Sequence, residues 1–157
     1  MISAYERALR LLGQRQHFRR DLRRKLIAKG YEAEEVDAAL ARCASEGYLD
    51  DEATARAFVA ERQERRGLGR ARIAAELRRK GAAGEAVSAA LADISDDDER
   101  VRAATAAARW RRVHGEDAAA LGRHLARKGF SRGAIVAVLR AGGGEAAADE
   151  LEAEPAD

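Results

Sequence analysis

The sequence predicts an all-α protein made of three tandem three-helix repeats, each similar to a helix-turn-helix unit, in an elongated, curved array. The 157 residues include a single proline and are rich in alanine, leucine, arginine and glutamate, a composition that favours helix over strand. A pattern of six positions recurs three times with constant internal spacing, which indicates an internal repeat. Units of about 50 residues with seven aromatic residues in total bury little apolar surface alone, so we expect them to stack on their neighbours.

Each repeat contains a helix that ends at a glycine and a second helix after it. The matched positions are Leu22, Leu26, Lys29, Gly30, Val36 and Leu40, then Ile73, Leu77, Lys80, Gly81, Val87 and Leu91, then Leu121, Leu125, Lys128, Gly129, Ile135 and Leu139. Successive copies are offset by 51 and then 48 residues. A glycine at this place adopts the left-handed conformation that closes a Schellman motif, and the lysine before it suits the carbonyl end of the helix. The repeated lysine and glycine therefore have a structural explanation.

A further helix precedes each of these pairs. Its predicted core face consists of Tyr5, Ala8, Leu9 and Leu12 in the first repeat, Ala55, Phe58 and Val59 in the second, and Val101, Ala104, Ala108 and Val113 in the third. Acidic clusters at 50–52 and 96–99 indicate helix starts, because carboxylates there accept bonds from free amides. We therefore place the repeats at residues 1–45, 46–94 and 95–142. Residues 143–157, with glycines, alanines and acids but no apolar period, are predicted to be a disordered acidic tail.

Basic and acidic residues alternate in blocks along the chain, and the acidic residues of the predicted tail offset most of the positive charge of the residues before it. The net charge is +2, but residues 1–144 hold 29 basic against 21 acidic residues. The candidate binding residues are the grouped arginines of the first two repeats, namely Arg19, Arg20, Arg23, Arg24, Arg62, Arg65, Arg66, Arg70, Arg72, Arg78 and Arg79. Basic helices that recur at fixed spacing favour contact with a polyanion or an acidic groove. The alternative is a solvated helix face, as many surface arginines form.

The sequence favours a binding protein over an enzyme. His17, His114, His124 and Cys43 lie far apart and lack metal-ligand spacing, and no nucleotide-binding glycine loop follows a strand. We therefore expect no catalytic residues, no metal and no cofactor. With a single cysteine, no secretory leader and no apolar run of about 20 residues, we expect a monomeric cytoplasmic protein that does not enter a membrane. Aromatic stacking platforms are not evident, which argues against readout of unpaired bases.

One run of the second repeat carries a family resemblance. The run consists of Gly47-Tyr48-Leu49-Asp50-Asp51-Glu52, followed by Ala55, Phe58-Val59, Arg62, Gly67, Gly69, Arg72-Ile73, Leu77 and Lys80-Gly81. This combination of residues resembles the signature of the RecX family. The likeness extends over about residues 5–140. The sequence departs from the family at Ala53-Thr54, where an aromatic residue is usual before the alanine, and at Ala82, where a bulkier apolar residue is usual.

The resemblance implies a non-enzymatic regulatory protein of bacterial DNA repair. Such a protein binds the RecA recombinase filament on DNA and mainly inhibits its ATPase, strand-exchange and LexA coprotease activities, in homologous recombination and the SOS response. The arginines of the second repeat would then contribute most, through acidic filament surface or DNA phosphate. The alternatives are a non-specific DNA-binding protein that acts without the recombinase, and a scaffold whose charges serve only solubility.

Overall fold

The computed structural model describes residues 1–156, and these contain helices but no strand. The elements are α1 (Ala4–Gln14), α2 (Arg19–Ala28), α3 (Ala33–Ser45), α4 (Asp51–Glu61), a π-helix (Arg62–Arg66), α5 (Arg70–Arg79), α6 (Gly84–Ala92), α7 (Asp96–His114), α8 (Ala118–Arg127), α9 (Arg132–Ala141) and α10 (Glu145–Ala153). The predicted all-α class is confirmed. In this described part of the chain, no helix has the length and apolar character required to cross a bilayer.

Contacts within the chain group the described residues into two compact units. The first comprises Met1–Phe58 and Glu76–Ala90, and the second comprises Val59–Ala75 and the described residues from Leu91 onward. The repeat boundaries proposed from the sequence stay a prediction.

The three repeated glycines end α2, α5 and α8. Gly30, Gly81 and Gly129 have φ values of 92°, 94° and 89°, which are left-handed. In the first of these turns the Tyr31 amide donates to the Leu26 carbonyl at 3.4 Å, and the Gly30 amide donates to Ile27 at 2.9 Å. This pair of bonds is the Schellman arrangement, so the backbone of the turn forms as the sequence predicts.

The core of the first unit joins α1, α2 and α3. Its fully buried side chains include Leu22 and Leu26 of α2 and Val36 and Leu40 of α3, packed against small residues of α1. The Ser3 side chain and Glu6 form a capping box at the start of α1. Local capping and the apolar period together account for this three-helix packing.

The core of the second unit is built on an alanine face of α7. Ala103, Ala106 and Ala107 are buried against Leu121, Leu125, Phe130, Ile135 and Leu139 of α8, α9 and the turn between them. The predicted face of α7 was wrong, because Val101 and Val113 are 65% and 78% exposed. Alanine side chains are smaller than valine side chains and let the helices approach more closely. The alanine face of α7 is therefore buried, and the face with Val101 and Val113 is exposed to solvent.

The structure differs from the predicted disorder of residues 143–157, because Glu145–Ala153 form a helix; Asp157 lies outside the described residues. Helix α10 packs on α9, and Ala148 is fully buried. The Arg140 guanidinium of α9 pairs with Glu145, Asp149 and Glu152 at 3.5, 3.0 and 2.6 Å. A helix this short is marginal in isolation, so its formation depends on the tertiary surface beneath it rather than on its composition.

Candidate functional site

Arginines of the first two predicted repeats line one groove in the first compact unit. The groove has a volume of about 530 Å³ and is lined by residues along α2, at the end of α5 and in the turn after it, namely Arg20, Asp21, Arg23, Arg24, Ile27, Arg78, Arg79, Lys80 and Gly81. We call it the basic groove. Two clusters of arginines that lie more than 50 positions apart in the sequence therefore form a single surface.

Gly81 allows the two helix ends to approach. A Cβ atom built on Gly81 would lie 3.2 Å from the backbone nitrogen of Asp21 and 3.5 Å from the Arg20 Cβ. Its left-handed φ also favours glycine. The residue therefore ends α5 and brings Arg78 and Arg79 to the same groove as Arg20.

Three guanidinium groups of the basic groove are available to an external anion. Arg23 is paired with Asp37, with 2.7 Å between Nε and Oδ1, and Arg24 is paired with Asp21 at 2.8 Å. Arg20, Arg78 and Arg79 are exposed and form no ion pair within residues 1–156. A guanidinium presents a planar set of donors that fits a carboxylate or a phosphate in bidentate geometry.

The carboxylate of Asp21 lies in the lining of the basic groove and binds neighbouring cationic side chains. Its carboxylate pairs with the Lys25 Nζ at 2.7 Å and lies 3.2 Å from the His17 Nδ1. Burial alone would raise the pKa of Asp21, but hydrogen bonds from Lys25, Arg24 and His17 outweigh this effect and hold the pKa well below its ordinary value. Asp21 is therefore ionised at neutral pH and holds Lys25 and Arg24 in place. Burial lowers the pKa of His17, against the hydrogen bond to Asp21, so His17 is neutral at pH 7.

Arg70 has internal partners in the second unit. Its guanidinium lies 2.6 Å from an Asp96 oxygen and 3.4 Å from Glu99, and it donates to the Ile94 carbonyl at 3.2 Å. Glu99 is 1% exposed and also accepts from the Arg70 backbone amide at 3.2 Å. Glu99 thus satisfies a free amide at the start of α5 while the guanidinium offsets its buried charge.

Arg72 lies in a close backbone contact of the second unit. A Cβ built on Gly129 would lie 2.3 Å from the Arg72 nitrogen, and the Arg72 Nη1 donates to the Arg127 carbonyl at 3.3 Å. Arg72 is 51 positions after Asp21, so the contact repeats the one between Gly81 and Asp21. Arg70 and Arg72 therefore have structural contacts, and their role in binding stays a prediction.

The other predicted arginines lie outside the basic groove. Arg62, Arg65 and Arg66 belong to the π-helix of the second unit, where the Arg62 side chain is 13% exposed and the other two are exposed. Arg19 begins α2, where its backbone amide donates to Asp51 at 2.8 Å. The structure therefore brings Arg20, Arg23, Arg24, Arg78 and Arg79 together and leaves the rest of the predicted set elsewhere.

Sequence reasoning missed a second groove, which lies between the π-helix and α7 in the second unit. It encloses about 620 Å³, and its aromatic lining consists of Trp110, His114 and His124. The rings of Trp110 and His114 are stacked, with 4.7 Å between centroids and 15° between planes. We call it the tryptophan groove. The spacing of Trp110 and His114 at i and i+4 was the available signal, because such residues share a helix face. Within residues 1–156 no group of three or more His, Cys, Asp or Glu converges as metal ligands would.

Family models match two successive parts of the chain. The model described as the first three-helix domain of RecX matches residues 4–43, and the second three-helix domain of RecX matches residues 50–91. Together they cover just over half of the chain. The predicted third repeat, which holds α7, α8 and α9, lies outside both matches.

Curated relatives match over similar lengths. The Regulatory protein RecX of Pelodictyon phaeoclathratiforme is 42% identical over 84 residues, or 54% of this chain and 52% of that protein. That of Xanthomonas axonopodis pv. citri is 45% identical over 92 residues, or 59% of this chain and 56% of that protein. The chain thus spans about half the length of the curated relatives it matches.

Solved structures share the fold. A crystal structure of RecX from Lactobacillus salivarius superposes with a TM-score of 0.82 at 19% identity, covering 88% of this chain and 93% of that chain. A second crystal structure, of a regulatory protein RecX, gives a TM-score of 0.77 at 23% identity, covering 87% of this chain and 71% of that chain. At these identities the likeness shows the fold alone.

Proposed function

The chain belongs to the RecX family, and from that premise we propose that it binds the RecA recombinase filament on DNA and restrains its activities. The activities concerned are ATP hydrolysis, strand exchange and promotion of LexA self-cleavage. The observation that carries the proposal is the basic groove, whose arginines lie within the two matched domains.

The chemistry of the basic groove supports an anionic partner surface. Arg20, Arg78 and Arg79 present guanidinium groups without an internal acid in the described chain, while Asp21 fixes the charges beside them. Such groups accelerate association with acidic protein surface or phosphate and orient the bound partner. A protein held in this way changes filament activity only as far as it binds one filament state more tightly than another. The proposed action is therefore inhibition by binding, without catalysis.

Charge reversal in the basic groove tests the proposal. The double variant Arg78→Glu/Arg79→Glu should need at least tenfold more protein for half-inhibition of RecA ATPase. The matched control is Arg10→Glu/Arg123→Glu, which changes the net charge equally at exposed helix positions outside the basic groove. Circular dichroism checks that both variants fold. Wild-type inhibition by the folded Arg78/Arg79 variant would refute the role of the groove.

Non-specific DNA binding without the recombinase is the second candidate, and the unpaired guanidinium groups of the basic groove favour it. The two candidates differ in salt dependence and in preferred substrate. The protein is titrated onto naked DNA and onto DNA coated with recombinase filament, at low and at physiological salt. Preference for the filament at physiological salt supports regulation of RecA, whereas equal binding that falls steeply with salt supports DNA binding alone. A scaffold would bind neither.

A further inference from the structure

The tryptophan groove exposes apolar surface that no described residue covers. Five large apolar residues are exposed in the described chain, and two of them, Val101 and Val113, line this groove. Scattered exposed apolar residues are ordinary, but two beside a partly buried tryptophan in one concave surface indicate a site of interaction.

Two cations lie beside this apolar surface. Arg102 and Arg109 line the groove and are seven positions apart on α7, so they form one stripe about 10 Å long. Neither forms an ion pair with any residue in 1–156. Asp98 also lines the groove, but its carboxylate accepts from the Ser95 amide in the capping box of α7. Glu64 is the second acid of the lining and Lys128 its third cation, so three cations face two acids and the net charge offered to a ligand is positive.

The groove is formed before any ligand arrives. Trp110 packs against the buried cluster of the second unit and stacks on His114. On the opposite wall, Lys128 donates from Nζ to the Arg66 carbonyl of the π-helix at 3.1 Å. Short π-helical turns are frequent at functional sites. A preformed surface lowers the entropic cost of binding.

We propose that the tryptophan groove binds an acidic amphipathic helix of a partner protein. The apolar face of that helix covers Val101, Val113 and the edge of Trp110, and its carboxylates pair with Arg102 and Arg109. Nucleic acid fits less well, because its sugar-phosphate backbone would leave the exposed Val101 and Val113 side chains without an apolar partner. The groove shares no residue with the basic groove, so this proposal does not rest on the recombinase proposal.

The single tryptophan of the chain reports on this site without a label. The probe is a synthetic helix-forming peptide with leucines along one face, glutamates elsewhere and no aromatic residue. We expect a saturable change in Trp110 emission, with affinity at least tenfold lower in Val113→Asp and in Arg109→Glu. The Arg123→Glu variant and the Arg78→Glu/Arg79→Glu variant should bind the peptide as the wild type does, and circular dichroism checks the fold of each.

Three outcomes would overturn the proposal. They are the absence of a saturable emission change, equal binding of a peptide with lysine in place of glutamate, and unchanged affinity in the folded Val113→Asp and Arg109→Glu variants. Oligothymidylate forms the second arm of the titration. A saturable response to that oligonucleotide but not to the peptide would assign the groove to single-stranded nucleic acid instead.

Discussion

Replacing Gly69 with alanine should destabilise the second unit by disrupting a close contact between two backbone segments. A Cβ at this position would lie 2.4 Å from the carbonyl carbon and oxygen of Gly129 and 2.5 Å from the nitrogen of Phe130. These are backbone atoms, so no flexible side chain can move aside. Gly69 has no positive φ, and the expected effect is therefore steric rather than conformational.

The magnitude follows from the bonds that the displaced segment would lose. The Gly69 amide donates to the Lys128 carbonyl at 2.8 Å, and the Ala71 amide donates to Gly129 at 3.1 Å. Each bond contributes about 0.5–1.5 kcal/mol. Forcing extra volume into a packed contact costs about 1–3 kcal/mol more. We therefore expect Gly69→Ala to lower the free energy of unfolding by about 2–6 kcal/mol, a large part of the total stability of a small protein.

Urea unfolding, followed by Trp110 emission and by circular dichroism, measures the loss in the second unit and in the helices as a whole. The matched control is Gly133→Ala in α9, where a Cβ meets nothing within 4 Å and φ is not positive. Alanine favours a helix interior over glycine by up to about 1 kcal/mol, so the control should be neutral or stabilising. Wild-type stability in Gly69→Ala, or an equal loss in Gly133→Ala, would refute the steric explanation.

Two further predictions concern buried polar groups. Glu99→Gln removes the charge that faces Arg70 and should lower the free energy of unfolding, measured in urea, by about 1.5–3 kcal/mol. The Asp97 side chain is 89% exposed, so Asp97→Asn should leave that free energy almost unchanged. Equal losses in the two variants would contradict the role of the buried pair. Burial lowers the pKa of His17, so the folded state binds the imidazole proton less tightly than the unfolded chain does. The stability that neutral His17 contributes is therefore complete above the ordinary pKa of 6.5 and is lost as the pH falls through the folded pKa. The urea midpoint should therefore fall between about pH 7 and pH 5, and less so in His17→Gln; the same slope in the variant would exclude His17 as the cause.

Sequence alone determined the features that depend on neighbouring residues. The end of α2 at Gly30 and the start of α7 at Ser95 follow from local hydrogen bonding, because a left-handed glycine and a capping serine satisfy free backbone groups wherever the helix lies. The residues of the second repeat also carry the resemblance to the RecX family, and the family models confirm that membership. Local rules suffice for these features because the interacting groups are within a few positions in the chain.

Only the tertiary structure decided which surfaces are buried, paired or exposed. Composition could not separate Arg70, which is held by Glu99, from Arg79, which lies free of internal ion pairs in the described chain, since both belong to one basic run. Nor could periodicity place Val113 outside the core or predict that α10 forms beside Arg140. Each outcome depends on groups far apart in the chain that meet only after the helices pack, and the same packing joins Arg20 and Arg79 in one groove.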